Sequence, residues 1–336
     1  MQRLLDLAQR VGNDPLLTQG STGNISVKKD GVLWIKASGK WMADATREDM
    51  LVPLGLDDVK ECLQRRVDPS LTYPSASLET ALHATLPHRV VLHVHCVNTI
   101  AWAVRKDAPL QLRNILEGLV WRWVPYLPSG LPLAEAVEYS LDSFPSPDVF
   151  VLGNHGLVIA GKDGASVEDL LSEVRRRVAI HPRPPLRADY TALWEICQDA
   201  RWELPDDDSL HSLGTDPISQ AILEGGLLYP CQAIFAGSEA ELYRPISYND
   251  LEEDSRRYCN RRFLVIQDRG VVVSRSISRA ELAMLGGLAQ VVRRLSPHAP
   301  LRYLTEDEIS GIPAEASFRY RELANYRPDW QSTTSG

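Results

Sequence analysis

Apolar and polar residues alternate along the first 180 residues in runs that predict a mixture of short helices and strands. Helical spacing of apolar residues is found in five segments, which are 1–11, 78–86, 98–104, 133–141 and 166–178. Alternating or continuous apolar runs of strand length are found at 25–27, 32–36, 89–95, 121–124, 148–152 and 157–160. The first two strands are predicted to form a hairpin that turns at residues 29–31. Residues 44–50 have the composition of a helix start.

A proline-rich segment at 181–188 and an acidic segment at 203–209 separate this part from the rest of the chain. They predict two domains, residues 1–190 and residues 200–330, joined by a helix at about 189–202. In the second domain we expect strands at about 231–236 and 262–273 and a long helix at 278–294. This domain is expected to serve packing or oligomerisation.

Composition narrows the class of protein. The 336 residues are 44% hydrophobic and 24% charged, which is typical of a globular protein. No apolar run is long enough for a membrane helix, and the net charge of -8 disfavours a nucleic-acid surface. Five cysteines without a C-x-x-C spacing, and a start that does not resemble a signal peptide, predict a cytoplasmic protein.

Histidine is distributed unevenly, since five of the eight histidines lie between His83 and His155. His93 and His95 are two residues apart on a predicted strand, so both imidazoles point to one side of the sheet. His155 follows a buried strand in a turn between two glycines. Three histidines with an open position are the arrangement of catalytic zinc. The alternative is that these are ordinary core and turn residues.

Glu79 and His83 lie four residues apart on a predicted helix that precedes the His93 strand. A carboxylate beside a histidine site acts as a general acid or base, or takes the fourth metal position. The alternative is a solvated pair on a helix surface. The small-residue turns at 20–24 and 37–40 can present backbone N–H groups to a phosphate or carboxylate, or serve only as hairpin turns.

Five motifs together resemble the class II aldolase/adducin family. In chain order they are TGNIS at 22–26, IKASG at 35–39, SLETALH at 77–83, HVH at 93–95 and GNHG at 153–156. The resemblance covers about residues 1–180 and is strongest to the aldolase part of bacterial rhamnulose-phosphate aldolase/alcohol dehydrogenase fusion proteins. It implies a three-layer α/β/α fold with a mainly antiparallel central sheet, followed here by a smaller α/β C-terminal domain.

The same resemblance implies zinc, or another divalent transition metal, on His93, His95 and His155, with Glu79 as the catalytic acid/base. It implies a lyase that cleaves a sugar or sugar phosphate by retro-aldol chemistry through a metal-stabilised enediolate. Asn24, Ser38, Gly39 and Ser77 would bind the substrate phosphate. A homotetramer acting on a small-molecule sugar substrate, without nucleic acid or membrane, is the expected form.

The sequence departs from this pattern at one phosphate position. Leu78 stands where these aldolases usually show a second serine, so the need for a phosphorylated substrate is left open. An epimerase or a decarboxylase uses nearly the same groups and is not separated from an aldolase by these residues. A non-catalytic adducin-like binding protein is the further alternative, although such proteins lack the metal histidines that this chain keeps.

Overall fold

A seven-stranded sheet organises the first half of the chain in a computed structural model that describes residues 1–141, 146–237, 240–253, 255–258, 260–312 and 314–325. Its strands are β1 (Asn24–Lys29), β2 (Val32–Lys36), β3 (Leu51–Gly55), β4 (Val90–Val94), β5 (Trp121–Val124), β6 (Val149–Leu152) and β7 (Gly156–Gly161). Their order is β3-β2-β1-β4-β7-β6-β5, and only the β5–β6 pair is parallel. The predicted mainly antiparallel central sheet is therefore confirmed.

Helices cover both faces of this sheet. In chain order they are α1 (Gln2–Gly12), α2 (Leu56–Gln64), α3 (Pro69–Thr72), α4 (Thr80–Thr85), α5 (Val97–Ala103), α6 (Ala108–Ile115), α7 (Leu131–Leu141) and α8 (Gly164–Arg177), with a 3₁₀ turn at Met42–Asp44. Leu92 and Val94 point into an apolar cluster shared with α1, α6 and α8. Val91 and Val158 point to the opposite face, where α4 and α7 pack. This alternation along β4 produces the three-layer α/β/α arrangement.

The second half of the chain carries a smaller sheet with the order β8-β10-β9. Its strands are β8 (Trp202–Glu203), β9 (Phe263–Ile266) and β10 (Gly270–Ser274). The helices around it are α9 (Tyr190–Ile196), α10 (Ser212–Thr215), α11 (Pro217–Glu224), α12 (Pro230–Ala236), α13 (Tyr248–Glu253), α14 (Arg279–Val292), α15 (Glu306–Ser310) and α16 (Ala314–Asn325). Short 3₁₀ turns lie at Asp208–His211, Ala240–Tyr243 and Ser255–Tyr258.

The two halves share apolar contacts through α5. Val97, Ile100 and Val104 belong to the same buried cluster as Leu285 and Leu288 of α14. At roughly 25 cal/mol per Å² of apolar surface removed from water, such contacts stabilise the attachment of the C-terminal part to the sheet. The division into domains at 1–190 and 200–330 remains a prediction, and residues 326–330 lie outside the described residues.

Three predicted elements are wrong. The strand expected at 231–236 is the helix α12, because Pro230 occupies the first helical position and Gly237 ends the helix at φ 112°. The strand expected at 262–273 is two antiparallel strands joined by a turn in which Asp268 has φ 58°. The helix expected at 44–50 is replaced by the 3₁₀ turn at Met42–Asp44. Among the described residues, none of the helices is both long and apolar enough to cross a membrane.

Candidate metal centre

Three buried histidine side chains converge at one edge of the large sheet. His93 is the fourth residue of β4, His95 follows the strand, and His155 lies in the turn between β6 and β7. Their ring centroids are 4.8–5.1 Å apart, with neighbouring rings inclined at 70–84° to one another. The candidate ligand atoms of all three rings lie within 4.8 Å of one another, and His93 Nε2 is 3.0 Å from His95 Nε2.

The backbone of β7 fixes the His93 ring. The Nδ1–H of His93 donates to the Leu157 carbonyl oxygen at 3.1 Å, so its proton is on Nδ1 and its Nε2 presents a lone pair. Gly156 makes room for this arrangement. A Cβ at that position would lie 2.6 Å from the Val94 carbonyl oxygen, 3.1 Å from the His93 ring and 3.4 Å from the His95 ring. Glycine is therefore required at residue 156 by close packing.

The turn that carries His155 is held by its neighbour Asn154. Asn154 is buried and has φ 49°, a left-handed conformation that asparagine tolerates better than most residues. Its side-chain amide donates to the carbonyl oxygens of Leu228 and Arg302, each at 2.8 Å. The His155 backbone N–H donates to the Leu152 carbonyl oxygen at 3.2 Å. The two hydrogen bonds of the Asn154 amide connect the turn to the C-terminal half of the chain.

Glu79 lies against the three histidines from the N-terminus of α4. Its Oε1 is 3.3 Å from His155 Nε2, and its Oε2 is 3.4 Å from His93 Nε2. The Asn24 side-chain amide donates to Glu79 Oε2 at 2.8 Å and to Ser77 Oγ at 3.1 Å. Because Asn24 of β1 pairs with His93 of β4 in the sheet register, both side chains leave the sheet on the same face.

Burial dominates the electrostatics of the histidines. It lowers the pKa of His155 to about 4 and the pKa of His95 well below its ordinary value. Burial alone would raise the pKa of Glu79, but the neighbouring histidines, His93 foremost, lower that pKa to about 2. The site therefore combines uncharged imidazoles at His95 and His155 with an ionised carboxylate at neutral pH.

This donor set fits a divalent transition metal. Neutral imidazole is a preferred ligand of zinc, and a tetrahedral ion with bonds of about 2.0–2.1 Å holds its ligand atoms roughly 3.3 Å apart. The 3.0 Å between the two Nε2 atoms of His93 and His95 agrees with that separation. A bound ion would also relieve the repulsion between nitrogen lone pairs that otherwise face one another. His93, His95 and His155 are thus the residues that could hold a metal.

The other predicted binding residues are divided between two places. Asn24 and Ser77 lie beside Glu79, as described. Ser38 and Gly39 lie in the loop after β2, where the Ser38 N–H donates to the Ser75 carbonyl oxygen at 2.9 Å. Gly39 has φ 75°, and a Cβ there would lie 2.7 Å from the carbonyl carbon of Leu323 in α16. The C-terminal helix therefore packs directly on this loop.

His83 makes a separate buried contact. Its Nδ1 lies 2.7 Å from Ser26 Oγ on β1, and burial lowers its pKa to about 3. Its Nε2 is buried without a hydrogen-bond partner among the described residues. The predicted helix neighbour of Glu79 thus contacts the sheet through the serine two residues after Asn24.

Two further residues near the site are not among the predicted site residues. Lys36 of β2 is buried, donates from Nζ to the carbonyl oxygens of Ser21 (2.9 Å) and Lys40 (2.7 Å), and has its pKa lowered by burial to about 7. Cys231 of α12 lies with Sγ 3.4 Å from His95 Nδ1, and burial raises the pKa of its thiol. In the sequence, Cys231 lies in the segment YPCQ at 229–232. Nothing in that segment predicts contact with His95, which is 136 residues away.

Residues 2–181 match the model of the Class II Aldolase and Adducin N-terminal domain, which is more than half of the chain. The chain belongs to the class II aldolase/adducin family. The family predicted from the five motifs is thus confirmed.

Two curated proteins are similar to this chain. Over 184 residues it is 27% identical to the uncharacterized oxidoreductase YuxG of Bacillus subtilis, a match that covers 48% of this chain and only 26% of that protein. Over 147 residues it is 29% identical to the L-fuculose phosphate aldolase of Methanococcus vannielii, covering 42% of this chain and 74% of that protein.

Two solved structures are also similar to this chain. The N-terminal class II aldolase domain of a conserved protein from Thermoplasma acidophilum is 25% identical, with a TM-score of 0.45, and the match covers 52% of this chain and 90% of that one. The L-fuculose-1-phosphate aldolase of Thermus thermophilus is 21% identical, with a TM-score of 0.36, and the match covers 53% of this chain and 93% of that one.

Proposed function

We propose that this chain is a metal-dependent carbon–carbon lyase that cleaves a sugar or sugar phosphate by a retro-aldol reaction. One observation carries the proposal: both carboxylate oxygens of Glu79 lie 3.3–3.4 Å from ring nitrogens of a three-histidine cluster. Membership in the class II aldolase/adducin family supports it, as does the similarity to an L-fuculose phosphate aldolase.

His93, His95 and His155 would hold the metal, for which we propose Zn²⁺ or another divalent transition ion. Such an ion, when bound, would supply positive charge that favours the negative charge developing on the substrate as the carbon–carbon bond breaks. The protein's part is to keep His95 and His155 uncharged and to hold the Nε2 atoms of His93 and His95 close together. Burial of the three rings and the Leu157 carbonyl on His93 Nδ1 achieve this.

Glu79 is the proposed catalytic acid/base, which moves a proton at the carbon next to the carbonyl. Its pKa, lowered to about 2, leaves it ionised at neutral pH and able to accept a proton. The Asn24 amide and the Ser129 hydroxyl donate to its two oxygens, at 2.8 Å and 3.4 Å, and so fix its orientation. With only 6% of its surface exposed, it is shielded from competing proton exchange with water.

For the anionic or hydroxylated end of the substrate we propose Asn24, Ser77, Ser38 and Gly39. Asn24 and Ser77 are already hydrogen-bonded to one another beside Glu79. The loop of Ser38 and Gly39 is joined to the segment before Ser77 by a bridge between Ala37 and Ala76. Since α16 packs on Gly39, the space for a phosphate depends on the position of that helix.

The proposal is tested by loading the purified protein with Zn²⁺ and measuring aldehyde release from a panel of ketose 1-phosphates and free ketoses. We expect stoichiometric metal and turnover of at least one member of the panel. A protein with stoichiometric metal that releases no aldehyde would not be an aldolase. Product epimers or CO₂ in the same reactions would identify an epimerase or a decarboxylase instead. Absence of both metal and turnover would favour an adducin-like binding protein.

A homotetramer, a cytoplasmic location and a packing or oligomerisation role for residues 200–330 remain predictions. Light scattering coupled to gel filtration measures the first directly. A mass of one protomer, 37.5 kDa, would contradict the tetramer.

A further inference from the structure

The C-terminal half of the chain reaches the three-histidine site through Cys231. This cysteine is the second residue of α12 and is 6% exposed. Its Sγ lies 3.4 Å from Nδ1 of His95, while Nε2 of the same ring lies 3.0 Å from Nε2 of His93. Cys231 therefore contacts the nitrogen of His95 that does not face the other histidines.

Metal binding through Nε2 would determine the tautomer of His95. An imidazole that gives its Nε2 lone pair to a metal carries its proton on Nδ1, and a buried N–H group needs an acceptor. Cysteine sulfur accepts a hydrogen bond weakly, and 3.4 Å suits an N–H to sulfur contact. His93 has the same arrangement with the Leu157 carbonyl oxygen as its acceptor.

We infer that Cys231 is a positioning residue of the metal centre: its sulfur accepts a hydrogen bond from His95 Nδ1 and keeps His95 Nε2 directed toward His93 and His155. The inference rests on the proposed function, since it assumes that the three histidines hold a metal. Cys231 acts through His95 and does not touch the substrate.

The start of α12 is held firmly enough for this role. The Gln232 side-chain oxygen accepts from the backbone N–H groups of Leu228 (2.7 Å) and Tyr229 (3.3 Å). The Tyr243 hydroxyl donates to the Gln232 carbonyl oxygen at 2.9 Å. All of these residues follow residue 181, where the family match ends. A part of the chain outside that match would thus complete the metal centre.

A second contact from the same region acts on another of the three histidines. The Leu228 carbonyl oxygen, three residues before Cys231, accepts from the Asn154 amide in the turn that carries His155. The segment 228–231 therefore contacts the surroundings of both His95 and His155. A short segment can fix the relative positions of two metal ligands only if it is itself held in place. The hydrogen bonds of the Gln232 side chain hold this segment.

The test compares Cys231→Ala and Cys231→Val, which remove the acceptor, with Cys231→Ser, which keeps one. Zn²⁺ affinity is measured by competition with a chromophoric chelator, and the visible spectrum of the Co²⁺-loaded protein reports ligand geometry. Loss of a group that orients a metal ligand typically weakens binding by about 10–100-fold. We expect that loss in the alanine and valine variants, with shifted Co²⁺ bands, and near-wild-type behaviour in the serine variant.

Cys197→Ala is the matched control, because that thiol packs in the separate cluster around Leu264 and Val272. Urea unfolding of the metal-free variants checks that each is folded. Having two variants without an acceptor keeps the test valid where one of them does not fold.

Three results would overturn the inference. The first is unchanged affinity and Co²⁺ spectrum in a folded alanine or valine variant, and the second is failure of serine to restore them. The third is a near-ultraviolet thiolate-to-cobalt charge-transfer band in the wild type, which would make Cys231 a ligand. If the wild type binds no metal, both the proposed function and the inference are wrong. Metal binding weakened only in the alanine and valine variants, without lyase activity, upholds the inference and refutes the lyase.

Discussion

Asn154 and Arg302 are 148 residues apart in the chain and are joined by two reciprocal hydrogen bonds. The Arg302 guanidinium donates to Asn154 Oδ1 at 2.9 Å, and the Asn154 amide donates to the Arg302 carbonyl oxygen at 2.8 Å. Arg302 also pairs with Glu308 and lies over the Tyr126 ring. The turn that presents His155 is thus held by the C-terminal half of the chain as well as by backbone hydrogen bonds to Ala103 and Leu152.

Replacing Asn154 should therefore loosen the metal centre. Asn154→Ala leaves the carbonyl oxygens of Leu228 and Arg302 without their donor and places alanine at φ 49°. We expect a loss of about 2–4 kcal/mol in the free energy of unfolding, together with weaker Zn²⁺ binding. Urea unfolding and chelator competition measure the two effects.

Asn154→Gly separates the two causes, because glycine accepts the left-handed backbone without strain. The glycine variant should lose less free energy of unfolding than the alanine variant. Both variants should lose a similar amount of Zn²⁺ affinity. Unchanged stability in both variants would mean that the turn does not depend on this contact.

Glu79→Gln should abolish most proton transfer while leaving the histidines in place. Loss of a positioned general acid or base typically lowers the rate by about 10²–10⁴-fold, so we expect kcat to fall by that factor with Zn²⁺ content unchanged. Glu135→Gln, at an exposed glutamate of α7, is the control. Full activity in the Glu79 variant, with metal bound, would exclude Glu79 as the catalytic acid/base.

The stability of the protein should depend on the protonation of His83. Because burial lowers its pKa to about 3 from 6.5, the unfolded chain binds a proton between these values and the folded chain does not. Stability from this group is complete above pH 6.5 and decreases as the pH falls, by up to about 1.4 kcal/mol per pH unit.

His83→Gln should reduce the dependence of unfolding free energy on pH between about pH 5 and 6.5 by the share of one proton, measured by urea titrations at several pH values. The buried His95 and His155, whose pKa values are also lowered, account for part of the slope that remains. The window lies above the ordinary pKa of a glutamate, so Glu79 contributes little to it. His298→Gln, at an exposed histidine, should leave the slope unchanged. Equal slopes in the wild type and the His83 variant would contradict the burial of a neutral imidazole.

Gly39→Ala should displace α16 from the loop after β2. The new Cβ would lie 2.7 Å from the Leu323 carbonyl carbon, a contact that cannot form without movement of the helix backbone. We expect faster hydrogen–deuterium exchange in residues 320–325 and unchanged exchange in β4. Loss of the hydrogen bond from Trp41 Nε1 to the Ala324 carbonyl oxygen should also change tryptophan fluorescence.

Gly31→Ala is the matched control for this experiment. Gly31 has φ 74°, nearly the same as the 75° of Gly39, but a Cβ there would meet nothing within 4 Å. Both variants carry the same backbone strain, and only the Gly39 variant adds a clash. If exchange in residues 320–325 increases equally in both, backbone strain and not the contact with α16 is responsible.

Strands around the site could be predicted because strong patterns determine them. The segment RVVLHVH at 89–95 contains β-branched and apolar residues in alternation, and β4 forms at Val90–Val94. The segment PCQAIFA at 230–236 has no such periodicity, and its apolar residues led to a wrong strand. Pro230 and Gly237 at its two ends were the signal that would have indicated α12.

The sequence by itself determined the histidine pair and the family. A two-residue spacing on a strand places His93 and His95 on one side, because side chains alternate strictly across a sheet. The order of five motifs indicated the class II aldolase/adducin family, which the match of residues 2–181 confirms. Both are local properties, since they depend only on residue types and short spacings.

Only the tertiary structure decided which groups surround those histidines. The sulfur of Cys231 contacts His95, and the carbonyl oxygens of Leu228 and Arg302 contact Asn154 beside His155. These groups come from parts of the chain with no local pattern that points to residues 93–155. Such contacts arise when apolar helices such as α5 and α14 pack together and bring distant backbone with them. Short sequence patterns cannot encode them, because the contact depends on the geometry of the whole core.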